Sequence, residues 1–326
     1  MKILMYGAGV LGSLYGARLK ESGHDVTVLE RGKRFDEIKS QGIVLEHSLT
    51  GKRTITQVTV TDELKPGDFY DVIFVVMRRN HVEKVLPILS ANKSSPMIVF
   101  MVSNPNGYKE WLQAVGRNRL LIGFAGAGGT VVNGVVRYHV VTPILQPTTF
   151  GEPEGGVTER VKKLAKEFKQ AGFPTAVCPI MEAWQKTHGA WVGPMANSLY
   201  MVGGSGNALA NRPDVIRLLI QGIRESYSVL RALGFPITPA KLKAFELIPT
   251  PILVSVLRMW ARTKHFETVA TQHTLSGFDE MSVLSNDFQL LARSTKVLTP
   301  ALDKLHASLA DWKGLPQDTQ NIQAKS

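Results

Sequence analysis

The chain contains one cysteine, Cys178, in 326 residues. No disulfide can form within it, which excludes a disulfide-stapled scaffold and points to a reducing compartment. A single thiol with no partner motif is a weak nucleophile candidate, so Cys178 reads as a bystander. Long hydrophobic runs are also missing: the longest, residues 97–102 and 251–257, fall far short of the ~18 residues of a membrane span. The chain has no internal repeat, no low-complexity tract and no run of five or more like charges. Its opening, MKILMYGAGVLG, meets glycines at once and carries no cleavage-site pattern. The expectation is a soluble cytoplasmic protein with no membrane segment.

What is present is ordinary globular usage, 44% hydrophobic and 20% charged, in a length that suggests two domains. Lys and Arg number 38 against 27 Asp and Glu, a net charge of +11. Residues 1–178 hold 23 of the cations and 16 of the anions, so the excess lies more heavily in the first half. A positive balance favours an anionic partner: nucleic acid, an acidic membrane face or a phosphorylated cofactor. Nucleic acid has bulk charge behind it but no motif, and is set aside.

Short apolar runs at 2–6, 25–30, 71–77 and 97–102 read as buried strands, and 10–21, 80–89 and 109–115 read as helices between them. Such alternation predicts a parallel sheet covered on both faces. Residues 134–141 and 148–151 read as a hairpin-type extension, interrupted by Pro143 and Pro147, and a helix at 158–171 returns to a strand at 175–177. After Pro179 strand signals fade. Helices are expected at 182–201, 213–233, 239–245, 252–262, 277–293 and 300–310, with Pro213, Pro239 and Pro300 in first-turn positions. The fold class is therefore α/β, a Rossmann-type dinucleotide-binding domain over 1–178 followed by an all-helical domain over 179–326. The polar tail after Leu315 is expected to fray.

Gly7-Ala8-Gly9-Val10-Leu11-Gly12 matches G-x-G-x-x-G, a weak signal by spacing alone. Here it follows a strand, opens a helix and completes a strand–helix–strand unit within about 30 residues, the context that a dinucleotide needs. Gly7 permits the tight turn, Gly9 lets the pyrophosphate approach the backbone, and Gly12 allows close helix–strand packing. Unpaired N–H groups at the helix start supply positive potential for phosphates. Glu30, 18 residues after Gly12, stands where an acidic group accepts the ribose hydroxyls of NAD. Arg31, Lys33 and Arg34 follow it, and their cations suit a 2′-phosphate. Three cations against one anion favour NADP over NAD; the plainer reading is a solvated charge cluster after a strand.

Two charged residues fall on apolar or small-residue helix faces. Glu280 shares a face with Leu284, Phe288 and Leu291, where a carboxylate must find a cation, hydrogen-bond donors or a proton. Lys186 shares one with Gly189, Ala190, Gly193 and Asn197, which leave room for a ligand beside the helix. A lysine in such a cleft can polarise a carbonyl and protonate the developing alkoxide. The base rate for a helix lysine is an exposed position, and that is the expectation from sequence.

In MKILMYGAGVLG, VTVLERG, SNPNG, GVVRYHV, AWQKTHGAWV and FDEMSVLSNDFQLLARSTKVLTP the chain resembles the ketopantoate reductase family, over nearly its whole length. The resemblance implies a two-domain, NADPH-dependent reductase of a branched 2-keto acid, ketopantoate, which it converts to pantoate. It implies Lys186 as general acid and Glu280 as the residue that orders the active site. It places Asn104 near the nicotinamide ribose and substrate, Arg78 where the family has a lysine, and Arg31 on the adenosine 2′-phosphate. The family's asparagines four and eight residues after the lysine are here Ala190 and Pro194. Asn197 and Asn207 keep the ten-residue spacing of two substrate asparagines, and Thr268 stands where the family has a substrate-binding serine. On a straight helix Asn197 lies about 16 Å from Lys186, unless Gly193-Pro194 kinks it. His81 and His188 replace other residues and read as plain polar positions. These departures leave open a bulkier keto substrate, for which Ala190, Trp191, Pro194 and Met195 speak, or a dinucleotide sensor without turnover. The apolar stretch 252–260 suits either a homodimer contact or internal core.

Overall fold

The computed structural model describes residues 1–271, 274–275, 277–312 and 314, with the side chains of all but Thr268 and Val269. The expected frayed tail lies outside the described residues. The described residues form two compact units, Met1–Val102 with Tyr108–Met181, and Ser103–Gly107 with the described residues from Glu182 onward. The loop Ser103–Gly107 thus belongs with the helical unit, although it is bounded in sequence by the first.

The first unit is built on runs that bury both faces of a strand. In β1 (Lys2–Tyr6), β2 (Asp25–Leu29), β6 (Val72–Val75) and β7 (Ile98–Phe100) every residue after the first strand position is buried. Continuous apolar strands of this kind need cover on both sides. With β5 (Thr59–Thr61), β8 (Leu120–Phe124), β11 (Thr148–Gly151) and β12 (Thr175–Val177) they form one eight-stranded sheet, ordered β12-β11-β8-β7-β6-β1-β2-β5. All pairings are parallel except β11 with β8. Strand succession runs from β1 through β2 to β5, then resumes at β6 on the other side of β1. Ligands of open α/β sheets bind at such a reversal, at the carboxyl ends of the strands.

Helix α1 (Val10–Glu21) follows β1, α2 (Gly32–Gln41) follows β2, and α3 (Val82–Ala91) and α4 (Lys109–Val115) flank β7. Helix α5 (Glu159–Gln170) buries Val161, Leu164, Ala165 and Phe168, the i, i+3, i+4, i+7 stripe of a core-facing helix. The Phe168 ring sits 5.0 Å from that of Tyr15 and 4.9 Å from that of Phe150. Each such fully buried ring contributes about 1.5–3 kcal/mol.

One expected feature is corrected. Residues 134–141 and 148–151 do not pair: the latter are β11 in the large sheet, while β10 (Val135–Val140) lies in a second sheet, ordered β4-β3-β10-β9, with β3 (Ile43–His47), β4 (Arg53–Thr56) and β9 (Ala127–Val132). The true hairpin partner of β10 is β9, with Val132 opposite Val135. Its two-residue turn is Asn133-Gly134, both at positive φ (50° and 78°), as a tight hairpin of right-handed twist requires.

The second unit is helical among its described residues: α6 (Met181–Met201), α7 (Gly206–Ala210), α8 (Pro213–Ala232), α9 (Ala244–Leu247), α10 (Thr250–Ala261), α11 (Lys264–Phe266), α12 (Phe278–Arg293) and α13 (Pro300–Asp311). Pro213 and Pro300 open α8 and α13, where their missing N–H is no loss. Pro239 instead precedes a short 3-10 turn, Ala240–Lys243. The core gathers Leu219, Ile220, Ile223, Tyr227 and Leu230 of α8 with Leu253, Val254 and Leu257 of α10. Buried Glu225 of α8 accepts the backbone N–H groups of Ala301 (3.0 Å) and Leu302 (2.9 Å), capping α13 from outside that helix. Among the described residues no single helix is long and apolar enough to cross a membrane.

Candidate active site

In the first unit, the turn after β1 is held by its neighbours on both sides. Gly7 N–H donates to Leu29 O of β2, and Val76 N–H donates to Tyr6 O, each at 3.0 Å. Gly7 has φ +115°, and a Cβ there would stand 2.4 Å from Val76 O. A Cβ on Gly12 would stand 1.9 Å from Gly7 O. Both glycines are therefore demanded by the protein's own backbone. Gly9 differs. Its φ of −65° suits any L-residue, it is exposed, and a Cβ there meets no protein atom within 4 Å. Helix α1 starts at Gly9 with no side-chain cap and no acidic residue in its first turn, so the N–H groups of Val10, Leu11 and Gly12 face outward as donors. This cradle fits the phosphates of a dinucleotide, and a side chain at Gly9 would fill it.

The residues after β2 take separate roles. Glu30 Oε2 accepts the N–H of Ala8 at 2.9 Å, and its Oε1 accepts the N–H of Arg31 at 3.0 Å. The carboxylate thus braces the glycine turn, and the Ala8 N–H is already engaged. Arg34 does not stand free for a 2′-phosphate: it donates to Gly134 O (2.9 Å), Ser13 Oγ (3.3 Å) and Ala8 O (3.5 Å) and pairs with Glu37 (3.2 Å). It ties the turn to α1, α2 and the second sheet. Arg31 and Lys33 remain exposed at the start of α2, with Arg31 Nε donating to Asp62 O at 3.0 Å. Arg78 follows β6 and is exposed, whereas its neighbour Arg79 is buried, paired with Glu83 and set over the Trp111 ring.

In the second unit, the opening turns of α6 grip the loop Ser103–Gly107. Gln185 Oε1 accepts Asn104 N–H at 2.9 Å, and Lys186 Nζ donates to Pro105 O at 2.7 Å. Asn104 uses its own amide within the loop, donating from Nδ2 to Gly107 O (2.7 Å) and accepting Asn106 N–H (3.2 Å). The sequence expectation of an exposed Lys186 is overturned: it is 2% exposed. Nζ stands 3.3 Å from Glu182 Oε1 and 4.8 Å from the centre of the Phe235 ring. Burial lowers its pKa from the ordinary lysine value, and the Glu182 carboxylate opposes that shift. An ammonium has three N–H donors; among the described residues Pro105 and Glu182 account for two of them. Glu182 and Gln185 were not among the sequence candidates. Glu182 had one legible signal, its i, i+4 spacing to Lys186 on a helix.

Gly107 has φ +96°, and a Cβ there would lie 3.0 Å from Glu182 Oε1 and 3.7 Å from Lys186 Nζ. Gly107→Ala is therefore expected to displace the loop from the lysine. The cost is left-handed strain of about 1–2 kcal/mol in thermal unfolding, together with lower activity.

The remaining candidates are not gathered at Lys186. Helix α6 runs unbroken through Gly193 and Pro194, so Asn197 stays about 16 Å along the axis from Lys186. Asn197 is 1% exposed; its Nδ2 donates to Ser285 Oγ at 2.9 Å and its Oδ1 has no hydrogen-bond partner among the described residues. Asn207 is exposed on α7. Thr268 lies in the π-helical turn Glu267–Thr271, and its side chain is outside the described residues. Glu280 is half-buried in the first turn of α12. Contacts of Asn197 with Ser285 and of Tyr200 with Phe278 (rings 5.1 Å apart) put it beside the far end of α6, not in the immediate surroundings of Lys186. Ala190 and Met195 pack into the helical core and Trp191 packs on Phe245 and Trp260. His188 stacks on Trp184 (5.4 Å, 5°), His81 is exposed, and Cys178 is buried with its thiol pKa raised by burial. On α10, Leu253, Val254 and Leu257 are core, while Ile252, Val256 and Met259 are exposed.

Comparison with known proteins agrees with this architecture. Residues 3–155 match the family model described as "Ketopantoate reductase PanE/ApbA". The chain is 31% identical over 175 residues to an uncharacterized oxidoreductase, YkpB, of Bacillus subtilis, covering 52% of this chain and 54% of the relative. It is 29% identical over 184 residues to a 2-dehydropantoate 2-reductase of Aquifex aeolicus, covering 54% of each. The matched stretch thus spans about half the length of these two relatives. Among solved structures, D-mandelate dehydrogenase with NADH and anilino(oxo)acetate superposes with a TM-score of 0.75 over 98% of this chain and 99% of that one, at 16% identity, which establishes the fold.

Proposed function

We propose that the chain, whose residues 3–155 match the ketopantoate reductase family model, is a member of that family and reduces a 2-keto acid with a nicotinamide dinucleotide. NADPH is the preferred form and ketopantoate, giving pantoate, the leading substrate. The observation that carries this reading is the buried Lys186 ammonium, with two of its three donors engaged by Pro105 and Glu182 among the described residues. A bound dinucleotide supplies the hydride. The N–H groups at the start of α1 hold its phosphates beside Gly9, and Glu30 keeps the turn in shape by accepting the Ala8 N–H. Lys186 donates a hydrogen bond to the keto oxygen, stabilises the charge that develops there and delivers the proton that makes the alcohol. Pro105, fixed through Asn104 and Gln185, sets the direction of Nζ.

Arg31 and Lys33, exposed beside the start of α2, support the preference for NADPH, as does the engagement of Glu30 with Ala8. Arg31→Ala is expected to raise the KM for NADPH about 10–100-fold, the loss of charge-assisted bonds worth about 1.5–3 kcal/mol. The KM for NADH should hardly move. Equal changes for both dinucleotides would remove Arg31 from 2′-phosphate recognition.

A second reading, a different 2-keto acid, is favoured by Ala190 and Pro194, which offer no amide on α6. Measuring kcat/KM for ketopantoate, aliphatic and aromatic 2-keto acids, with NADPH and NADH, separates the two. Ketopantoate ranks first if the leading reading holds. Tight dinucleotide binding without turnover of any keto acid would favour a sensor instead.

A further inference from the structure

We infer that Glu182 is a positioning residue for Lys186 and the route by which the buried ammonium regains a proton from solvent after each reduction. The inference rests on Lys186 being the proton donor of the proposed reaction. Its ground is the enclosure of Nζ. The Lys186 side chain is 3% exposed, whereas that of Glu182, 3.3 Å away and one helical turn earlier, is 38% exposed. The other groups against Nζ are a carbonyl oxygen, Pro105 O, and the Phe235 ring, and neither has a proton to give. The loop Ser103–Gly107 and Phe235 bring no ionisable side chain to it, so among the described residues Glu182 is the charged group against Nζ. Gly107 presses close to Glu182 Oε1, leaving no room for a side chain between loop and carboxylate. Glu182 is therefore held between solvent and the lysine.

The proton balance is simple. Lys186 gives one proton to the keto oxygen and is left as a neutral amine. A proton from solvent binds Glu182 Oε1 and crosses the 3.3 Å contact to Nζ, restoring ammonium and carboxylate together. Between turnovers the negative charge also favours the ammonium that burial disfavours.

Glu182→Gln keeps the side chain's size and removes its charge and its proton affinity. In the intact protein we expect kcat to fall at least about tenfold, with the KM for NADPH unchanged. The alkaline limb of the kcat/KM profile should move down by about one pH unit, because the ammonium loses its anionic neighbour. The solvent deuterium isotope effect on kcat should grow, and Glu182→Asp should restore part of each property. A Glu182→Gln enzyme with the wild-type alkaline limb and isotope effect would overturn the inference even if it were slower, since a merely structural role moves neither. Failure of the wild-type protein to reduce any 2-keto acid would instead bring down the functional reading, and this inference with it.

Discussion

Lys186→Met is expected to lower kcat for the proposed keto-acid reduction by about 10²–10⁴-fold while NADPH binding is retained. That range is what a positioned general acid contributes. Methionine keeps the length and buried volume of the side chain, so the loop Ser103–Gly107 loses one bond, Nζ to Pro105 O, but not its packing. The loop's other ties, from Asn104 to Gln185 and to Gly107, remain. Lys186→Arg sharpens the test. It preserves positive charge but cannot release its proton near neutral pH, so it too should be crippled if proton delivery, not charge alone, is the lysine's task. The pH dependence has a definite sign. In the proposed reaction the donor is the Lys186 ammonium, whose pKa burial lowers. Activity should therefore decline as pH rises through a value below that of an exposed lysine, about 10.4. Steady-state kinetics across pH checks both statements; an active Lys186→Met enzyme would remove the lysine from the chemistry.

The second large effect is expected at Gly9. Because its φ is ordinary and nothing in the protein approaches a Cβ there, Gly9→Val should leave thermal stability within about 0.5 kcal/mol. Dinucleotide affinity should nevertheless fall by roughly 10²-fold or more, since the valine occupies the approach of the phosphates and forfeits charge-assisted bonds of about 1.5–3 kcal/mol each. Gly12→Ala is the contrasting case: its Cβ would run into Gly7 O, so stability and binding should be lost together. Calorimetry of NADPH binding alongside thermal melts distinguishes them. A Gly9→Val protein that binds NADPH as the wild type does would contradict the placement of the dinucleotide.

The parts of this fold that could be read from sequence are those decided locally. Strand β1, helix α1 and the glycines between them are legible because burial on both faces, helix entry and tight packing each demand a residue type at a fixed position. The second sheet was not legible as a sheet, because the local pair β3 and β4 joins β10 and β9 only through the pairing of β3 with β10, some 90 residues later. The hairpin that belongs to it is signalled by Asn133-Gly134 between valines, a tight-turn pair, rather than by the prolines at 143 and 147.

At the site, residue types were legible and their surroundings were not. Lys186 looks like any surface helix lysine until the loop Ser103–Gly107, some 80 residues earlier, is seen to close over it. Arg34 looks like a phosphate ligand because its ties to Ala8, Ser13 and Gly134 join separate elements. Asn197 lies about three turns along α6 from Lys186. Spacing could not foresee that Ser285 would take its amide N–H.

The most direct test of the account is product analysis. Wild-type protein, NADPH and ketopantoate should yield pantoate and NADP in equal amounts, and Lys186→Met should yield neither at a comparable rate. Absence of any hydroxy-acid product from ketopantoate and from other 2-keto acids, in a protein that demonstrably binds NADPH, would contradict it.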